Sequence, residues 1–193
     1  MSTTTSTSPS TPSRSDPAAG TEPTEAVDLL VRQHRRLEKL MAELADDQAP
    51  PEQRSARLRR AGDELAMHLS AEEQVFYPAV RAERTEDILL ESLEEHLSLK
   101  RLLADLLVLA PDDDATFTPK CKVLREQVEH HHGEEEENLF PKALKLLPAE
   151  RRVKLGRQML QQQASLQRAG RPREAAAAQT EVAESLDPVP PAH

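Results

Sequence analysis

The amino-acid sequence predicts an all-α fold: an up-down-up-down four-helix bundle with an additional C-terminal helix and disordered tails. Three observations lead there. Apolar residues recur at alternating steps of three and four in successive segments. No segment alternates apolar and polar residues with the period of a strand. The links between segments are short, which makes consecutive helices antiparallel neighbours.

The first helix is expected from Thr24, a residue suited to an N-cap, to about Asp47, with Val27, Leu30, His34, Leu37, Met41 and Leu44 as its inward seam. Pro50 and Pro51 end the connection, and Pro51 suits the first turn of a second helix. That helix carries the seam Leu58, Ala61, Leu65, His68, Glu72 and Val75 and is expected to stop at Tyr77, before Pro78. A third is expected from Thr85 to Leu109, with Leu89, Ser92, His96, Leu99, Leu103 and Leu106 inward. The acidic stretch Pro111–Asp114 breaks it. Thr118 and Pro119 open a fourth, ending near Phe140, with Cys121, Leu124, Val128, His131, Glu135 and Asn138 inward. A fifth spans about Pro148 to Arg168, with Val153, Leu155, Met159 and Leu160 available for docking.

Residues 1–22 are Ser/Thr/Pro-rich and residues 169–193 Ala/Pro-rich, compositions that bury too little apolar surface to offset their ordering entropy. Both are expected to be disordered tails around a bundle at 23–168, although the Ala175–Ala178 run suits a transient helix. The N-terminus has no apolar leader, so no secretory signal is expected. The best apolar run, Leu102 to Ala110, is interrupted by Asp105, and no membrane span is expected. Cys121 is the single cysteine, which excludes an intramolecular disulfide and fits a cytoplasmic location. The net charge of −9, concentrated in Glu134–Glu137, Asp112–Asp114 and Glu94–Glu95, argues against nucleic acid or an anionic membrane as partner.

The bundle seams carry the chemistry. H-x-x-x-E occurs as His68/Glu72 and as His131/Glu135, an offset of 63 positions, and each glutamate is followed six residues later by a proline, Pro78 or Pro141. On a helix, residues i and i+4 share a face, so each pair offers an imidazole beside a carboxylate. Each pair is preceded by a helix with one more seam histidine, His34 and His96, which lie 62 positions apart. The chain therefore reads as two tandem helix–helix units, each giving His, then His-x-x-x-Glu. A lone seam histidine is usually a hydrogen-bonded core residue. Four with two glutamates, in duplicate spacing, would leave a core of uncompensated polar groups unless a transition metal organises them.

His130 and His132 flank the seam and are expected to be exposed, with the register His132/Glu136 kept open as the alternative. Glu73, Glu134, Glu136 and Glu137 read as a solvated acidic face. Gly133 either is simply tolerated in its helix or allows another helix to approach.

At these residues the chain resembles the hemerythrin-like, HHE cation-binding family, over about residues 24–168, in the order His34, His68-x-x-x-Glu72, His96, His131-x-x-x-Glu135. The resemblance implies a non-haem di-iron centre, with the four histidines as terminal ligands. Glu72 and Glu135 would bridge two irons that also share an oxo or hydroxo group. Oxygen-carrying members have a fifth histidine, as H-x-x-x-H on the third helix. Here the positions four away from His96 are Ser92 and Lys100, neither of them an iron ligand. By ligand count each iron would keep an open site. The set looks more like the family's nitric-oxide-responsive and iron-centre-repair members, which often carry an N-terminal cysteine segment; no cysteine precedes Cys121 here. Glu73, Glu95 and Tyr77 are candidates for an extra donor.

The function expected is binding of, or reaction with, a small oxidant (O2, NO or peroxide) at the four-His, two-Glu centre. No residue stands out as a dedicated general acid or base. The alternative is iron sensing or buffering without catalysis. A plain interaction bundle with structural histidines is the third reading.

Overall fold

The structure, a computed structural model, describes residues 24–82, 84–112 and 115–180. Helix α1 spans Ala26–Leu44. A long second rod follows in three continuous stretches: α2 (Pro51–Ala71), a π-helical turn (Glu72–Phe76) and α3 (Tyr77–Val80). Helix α4 covers Glu86–Val108. The fourth rod repeats the design of the second, as α5 (Phe117–Glu134), a π-helical turn (Glu135–Leu139) and α6 (Phe140–Leu146). Helix α7 (Ala149–Ala169) and the short α8 (Pro172–Ala177) complete the described residues, among which there is no strand.

The four rods form the bundle, with α1 against α2 and α5, and α4 against α5 and α2. Helix α7 lies on α1 and α2. Gly156 makes this crossing possible, since a Cβ there would sit 2.2 Å from the Thr24 carbonyl oxygen. Arg54 ties the α1–α2 link to the far end of α4, donating to the carbonyls of Ala49, Asp47 and Pro111 at 2.7, 3.0 and 3.1 Å.

The expected seams are buried, with two displacements that share one cause. Val75 is only half-buried and Asn138 is exposed, while Phe76, Tyr77, Leu139 and Phe140 are buried. A π-turn holds one residue more than an α-turn and so advances the inward face by one position. The same turns carry the helices past both prolines rather than ending them before Pro78 and near Phe140. Tyr77 N–H bonds to the Glu72 carbonyl and Phe140 N–H to the Glu135 carbonyl, each five residues back, just before a residue that has no N–H to give.

Three smaller expectations also change. The fourth rod starts at Phe117, ahead of Thr118. Leu160 is exposed, and α7 docks through Leu155 and Met159. The segment after 168 is not all unstructured: α8 packs on α2 and α4, burying Ala176 and pairing Arg173 with Asp63 at 2.9 Å. Ala residues with two apolar docking points, Pro172 and Ala176, and an ion pair suffice for a short helix against an existing surface. The tail expectations for 1–22 and 181–193 fall outside the described residues.

Among the described residues the core is two apolar clusters. One contains Leu37, Leu65, Leu99 and Val128; the other contains Leu30, Phe76, Tyr77, Leu89 and Phe140. His34, His68, His96, His131, Glu72 and Glu135 lie between them in sequence register on the four rods, each at most 1% exposed.

Candidate metal centre

The six expected residues converge. Glu72 spans the layer, with Oε1 3.1 Å from His68 Nε2 and 3.9 Å from His34 Nε2, and Oε2 3.5 Å from His96 Nε2. Glu135 Oε2 lies 3.2 Å from His34 Nε2 and 3.8 Å from His131 Nε2. Each carboxylate thus sits between a histidine of one repeat and a histidine of the other. His34, His68, Glu72 and Glu135 form one group able to hold a metal ion, and Glu72, His96 and His131 another.

Every one of these histidines presents Nε2 inward because its Nδ1 is held from outside. His34 Nδ1 bonds to Glu136 at 2.8 Å, His68 Nδ1 to Gln33 at 3.1 Å, His96 Nδ1 to Glu73 at 2.8 Å and His131 Nδ1 to Glu95 at 2.8 Å. An acceptor at Nδ1 fixes the tautomer with the proton there and the lone pair on Nε2, the arrangement that metal-ligating histidines use. The acceptors follow the repeat. The residue before the first histidine (Gln33, Glu95) holds the second histidine of its own unit. The residue after the glutamate (Glu73, Glu136) holds the first histidine of the other unit. A cation steadies each of the latter two, Lys100 Nζ on Glu73 at 2.8 Å and Arg35 on Glu136.

Sequence reasoning assigned Glu73 and Glu136 to a solvated face. Their side chains are 3% and 23% exposed, because the π-turn that re-phases the rod rotates the residue after each glutamate toward the neighbouring helix. His130 is exposed as expected. His132 is not: it is 1% exposed, its ring stacked on His34 at 3.8 Å between centroids. Gly133 has open space where a Cβ would stand, so no helix approaches there.

The electrostatics show what the layer lacks. His34 Nε2, His68 Nε2, both oxygens of Glu72 and Glu135 Oε2 are buried without a hydrogen-bond partner. Orphaned polar atoms of this kind are costly in a protein core. His96 Nε2 and His131 Nε2 face each other at 2.9 Å. With both Nδ1 protons pointing outward these are two lone pairs, a contact made favourable by a shared metal ion or, in the metal-free protein, by a proton on His131 Nε2. Two imidazole nitrogens about 2.1 Å from one transition metal ion and at right angles lie about 3 Å apart. Burial, then the charge of Glu135, push the Glu72 carboxyl well above its usual range. Burial acts on Glu135 in the same sense, but His131, His34 and His96 outweigh it and hold that carboxyl low. Burial and then His34, His131 and His96 press His68 well below the usual imidazole value. Burial opposes protonation of His131 too, yet Glu135 and Glu95 prevail and raise it. Neutral imidazoles, carboxylates and a dry apolar surround fit a di- or trivalent first-row metal.

The Tyr77 hydroxyl joins the layer, donating to Glu135 Oε1 at 3.0 Å and lying 3.0 Å from His96 Nε2. Sequence reasoning named Tyr77 only as one candidate extra donor. Its signal was the position five after Glu72, whose counterpart five after Glu135 is Phe140.

A helical bundle whose four rods aim imidazoles and carboxylates into one dry layer defines a cation-binding bundle protein. The family model of the hemerythrin HHE cation binding domain matches residues 25–143, and the chain belongs to that family. Membership makes it a metal-binding protein, iron being the cation typical of the domain. The fold is similar to the crystal structure of a hemerythrin HHE cation binding domain-containing protein from Mycobacterium kansasii. Identity there is 21%, with 80% of this chain and 98% of that one covered and a TM-score of 0.67. Nothing among the curated proteins matches. Among the described residues no helix is long and apolar enough to cross a membrane.

Proposed function

We propose that the chain holds two iron ions, one at His34 and His68 and one at His96 and His131, bridged by Glu72 and Glu135, and that this pair binds or reacts with O2, NO or peroxide. The observation that carries the reading is the set of inward, buried, partnerless donor atoms on His34, His68, Glu72 and Glu135 beside the facing nitrogens of His96 and His131. When bound, two ferrous ions supply electrons to a small oxidant. The chain's own residues do the rest. Glu73, Glu95, Glu136 and Gln33 fix the imidazole tautomers, and the two apolar clusters keep water from the layer. The Tyr77 hydroxyl donates to Glu135 Oε1 over 3.0 Å and would hold a proton at the edge of the layer.

Anaerobic loading with Fe(II), followed by optical titration with O2, NO and peroxide, tests this. A stoichiometric spectral change with at least one of the three is expected. Loaded protein inert to all three contradicts the reactivity and leaves iron sensing or buffering. A specific feature favours that second reading: Gln33 Nε2 donates to Gln163 Oε1 of α7 at 2.9 Å while its Oε1 accepts from His68 Nδ1, a chain through which occupancy of the layer would reach an outer helix.

A further inference from the structure

Of the four groups that hold an Nδ1 in the layer, Glu73, Glu95 and Glu136 are carboxylates and Gln33 is an amide. A carboxylate only accepts, so it keeps the proton on the Nδ1 it faces. An amide accepts through its oxygen and donates through its nitrogen, and so can serve either tautomer. His68 is therefore the one histidine of the six-residue layer whose tautomer its backing leaves open. Each of its nitrogens has an acceptor at the same distance: Gln33 Oε1 lies 3.1 Å from Nδ1, and Glu72 Oε1 lies 3.1 Å from Nε2. A metal ion at Nε2 takes that lone pair and leaves Nδ1 as the only place for the proton. Exchange between the tautomers adds no proton and changes no charge. It reverses which edge of the imidazole donates.

The Gln33 amide carries that polarity outward. Its Nε2 donates to Gln163 Oε1 of α7 at 2.9 Å, and Gln163 Nε2 donates back to Gln33 Oε1 at 3.0 Å while reaching the Met67 carbonyl at 3.5 Å. These contacts hold together only with Gln33 Oε1 toward His68 Nδ1–H. With the proton on Nε2 instead, Gln33 must turn its NH2 toward the bare Nδ1, and its oxygen then meets the Gln163 oxygen. Turning Gln163 as well sets that oxygen against the Met67 carbonyl, two acceptors face to face. Helix α7 depends on this pair because none of its buried residues lies beyond Met159. Past that point amides hold it, Gln163 on Gln33 and Gln162 on Ser70 and Gln74. A groove of about 500 Å³ beside Gln33 and Gln163 gives the pair room to turn. We propose that the Gln33–Gln163 amide pair is a metal-dependent latch. Occupancy at His68 fixes its polarity and holds residues 160–169 of α7 on the bundle, and loss of the metal frees them. The inference rests on the reading that the layer binds iron, and it gives the sensing form of that reading its moving part.

Hydrogen–deuterium exchange of the full chain, metal-free and loaded anaerobically with Fe(II), tests this, with iron content measured on the same samples. Loading is expected to slow the backbone amides of residues 160–169 in wild type at least about tenfold. In Gln163→Leu, or Gln163→Ala should the leucine variant not fold, iron content is expected to be unchanged and the rest of the bundle to slow as in wild type. Residues 160–169 of that variant should slow less than about twofold. Gln33→Glu, whose carboxylate keeps the Nδ1 proton with or without metal, is expected to remove the dependence of 160–169 on iron likewise. Nitrogen-15 NMR of the metal-free protein should show His68 in both tautomers, its signals identified by their loss in His68→Gln. Equal slowing of 160–169 in wild type and the Gln163 variant, no slowing in iron-loaded wild type, or metal-free His68 in the Nδ1–H form alone overturns the latch. Wild type that takes up no iron overturns the metal reading instead.

Discussion

The two halves of the centre come from one repeated design and differ in how they are backed. In the half built by His96 and His131, both Nδ1 atoms rest on carboxylates, Glu73 and Glu95, and Lys100 anchors the first of these. In the half built by His34 and His68, one of those carboxylates is replaced by the neutral Gln33, which is shared with Gln163 of α7. The extra groups divide likewise: Tyr77 lies beside His96, and His132 on His34. The α7 helix lies over α1 and α2, where Gln33 and Gln163 line a groove of about 500 Å³, and Glu95 lines one of about 380 Å³ between α4 and α5. Duplication supplies the ligand frame. Single substitutions at matched positions give one half two carboxylate acceptors and the other one carboxylate and a neutral amide.

The largest effect is expected where the halves join. Glu72→Gln keeps shape and loses the charge that spans both pairs. It should abolish binding of at least one iron, read as the iron-to-protein ratio. Metal-free Glu72→Gln should be no less stable than wild type, because the carboxyl it removes is buried beside Glu135 and its ionisation is disfavoured there. A variant that keeps both irons would show that Glu72 is not what links the halves.

Next comes the backing. Glu95→Gln gives the His131 half the same neutral acceptor as the His68 half and should weaken iron binding about tenfold, the lower end for residues that orient a metal-bound histidine. Gln33→Glu should make the halves alike in the opposite sense and strengthen it. Fe(II) competition titrations against a chelator check both, and equal affinities in all three proteins would remove the comparison's chemical content.

A third effect appears in the metal-free protein on acidification. The folded-state value of His68 lies below the ordinary imidazole value, so below about pH 6.5 the unfolded chain binds a proton that the fold refuses. Stability falls with pH there, by up to about 1.4 kcal/mol per pH unit for such a group. His131 has the opposite sign: its raised value contributes stability that is present below about pH 6.5 and is lost as pH rises through the folded value. Histidine ring signals followed by NMR should therefore show His131 protonating first and His68 resisting until the protein unfolds. The reverse order would contradict the assigned environments.

The smallest effect is that of Tyr77→Phe, which restores the match with Phe140. One buried hydrogen bond to Glu135 is lost, which should cost about 1 kcal/mol in thermal unfolding while two irons still bind. Loss of an iron would make Tyr77 a ligand and not a proton-holding neighbour.

How much of this was readable beforehand follows from periodicity. The six inward residues were legible because a 3-4 spacing fixes one face of a straight helix, and because His34, His68 and Glu72 recur at matched positions as His96, His131 and Glu135. The Nδ1 acceptors were not legible, although they too obey the repeat: they lie one residue off the seam, where the pattern reads solvent. His132 was misread for the same reason. For Glu73 and Glu136 the cause is the π-turn starting at each glutamate, which shifts the inward face by a residue and lets the helix pass its proline, whereas His132 precedes that turn and is buried as the i+4 neighbour of Val128. The six-residue spacing from glutamate to proline was visible in both copies, yet it reads as a helix end unless the wider turn is considered. The short α8 was hidden in an Ala/Pro-rich composition because its order comes from docking, through Ala176 and Arg173, and not from its own pattern.

The central claim is that the buried layer holds two metal ions through His34, His68, His96, His131, Glu72 and Glu135. Iron content after anaerobic reconstitution and desalting, determined beside protein concentration, tests it most directly. Two irons retained per chain is the expected result. One iron or none, from folded protein offered excess Fe(II), would contradict the account.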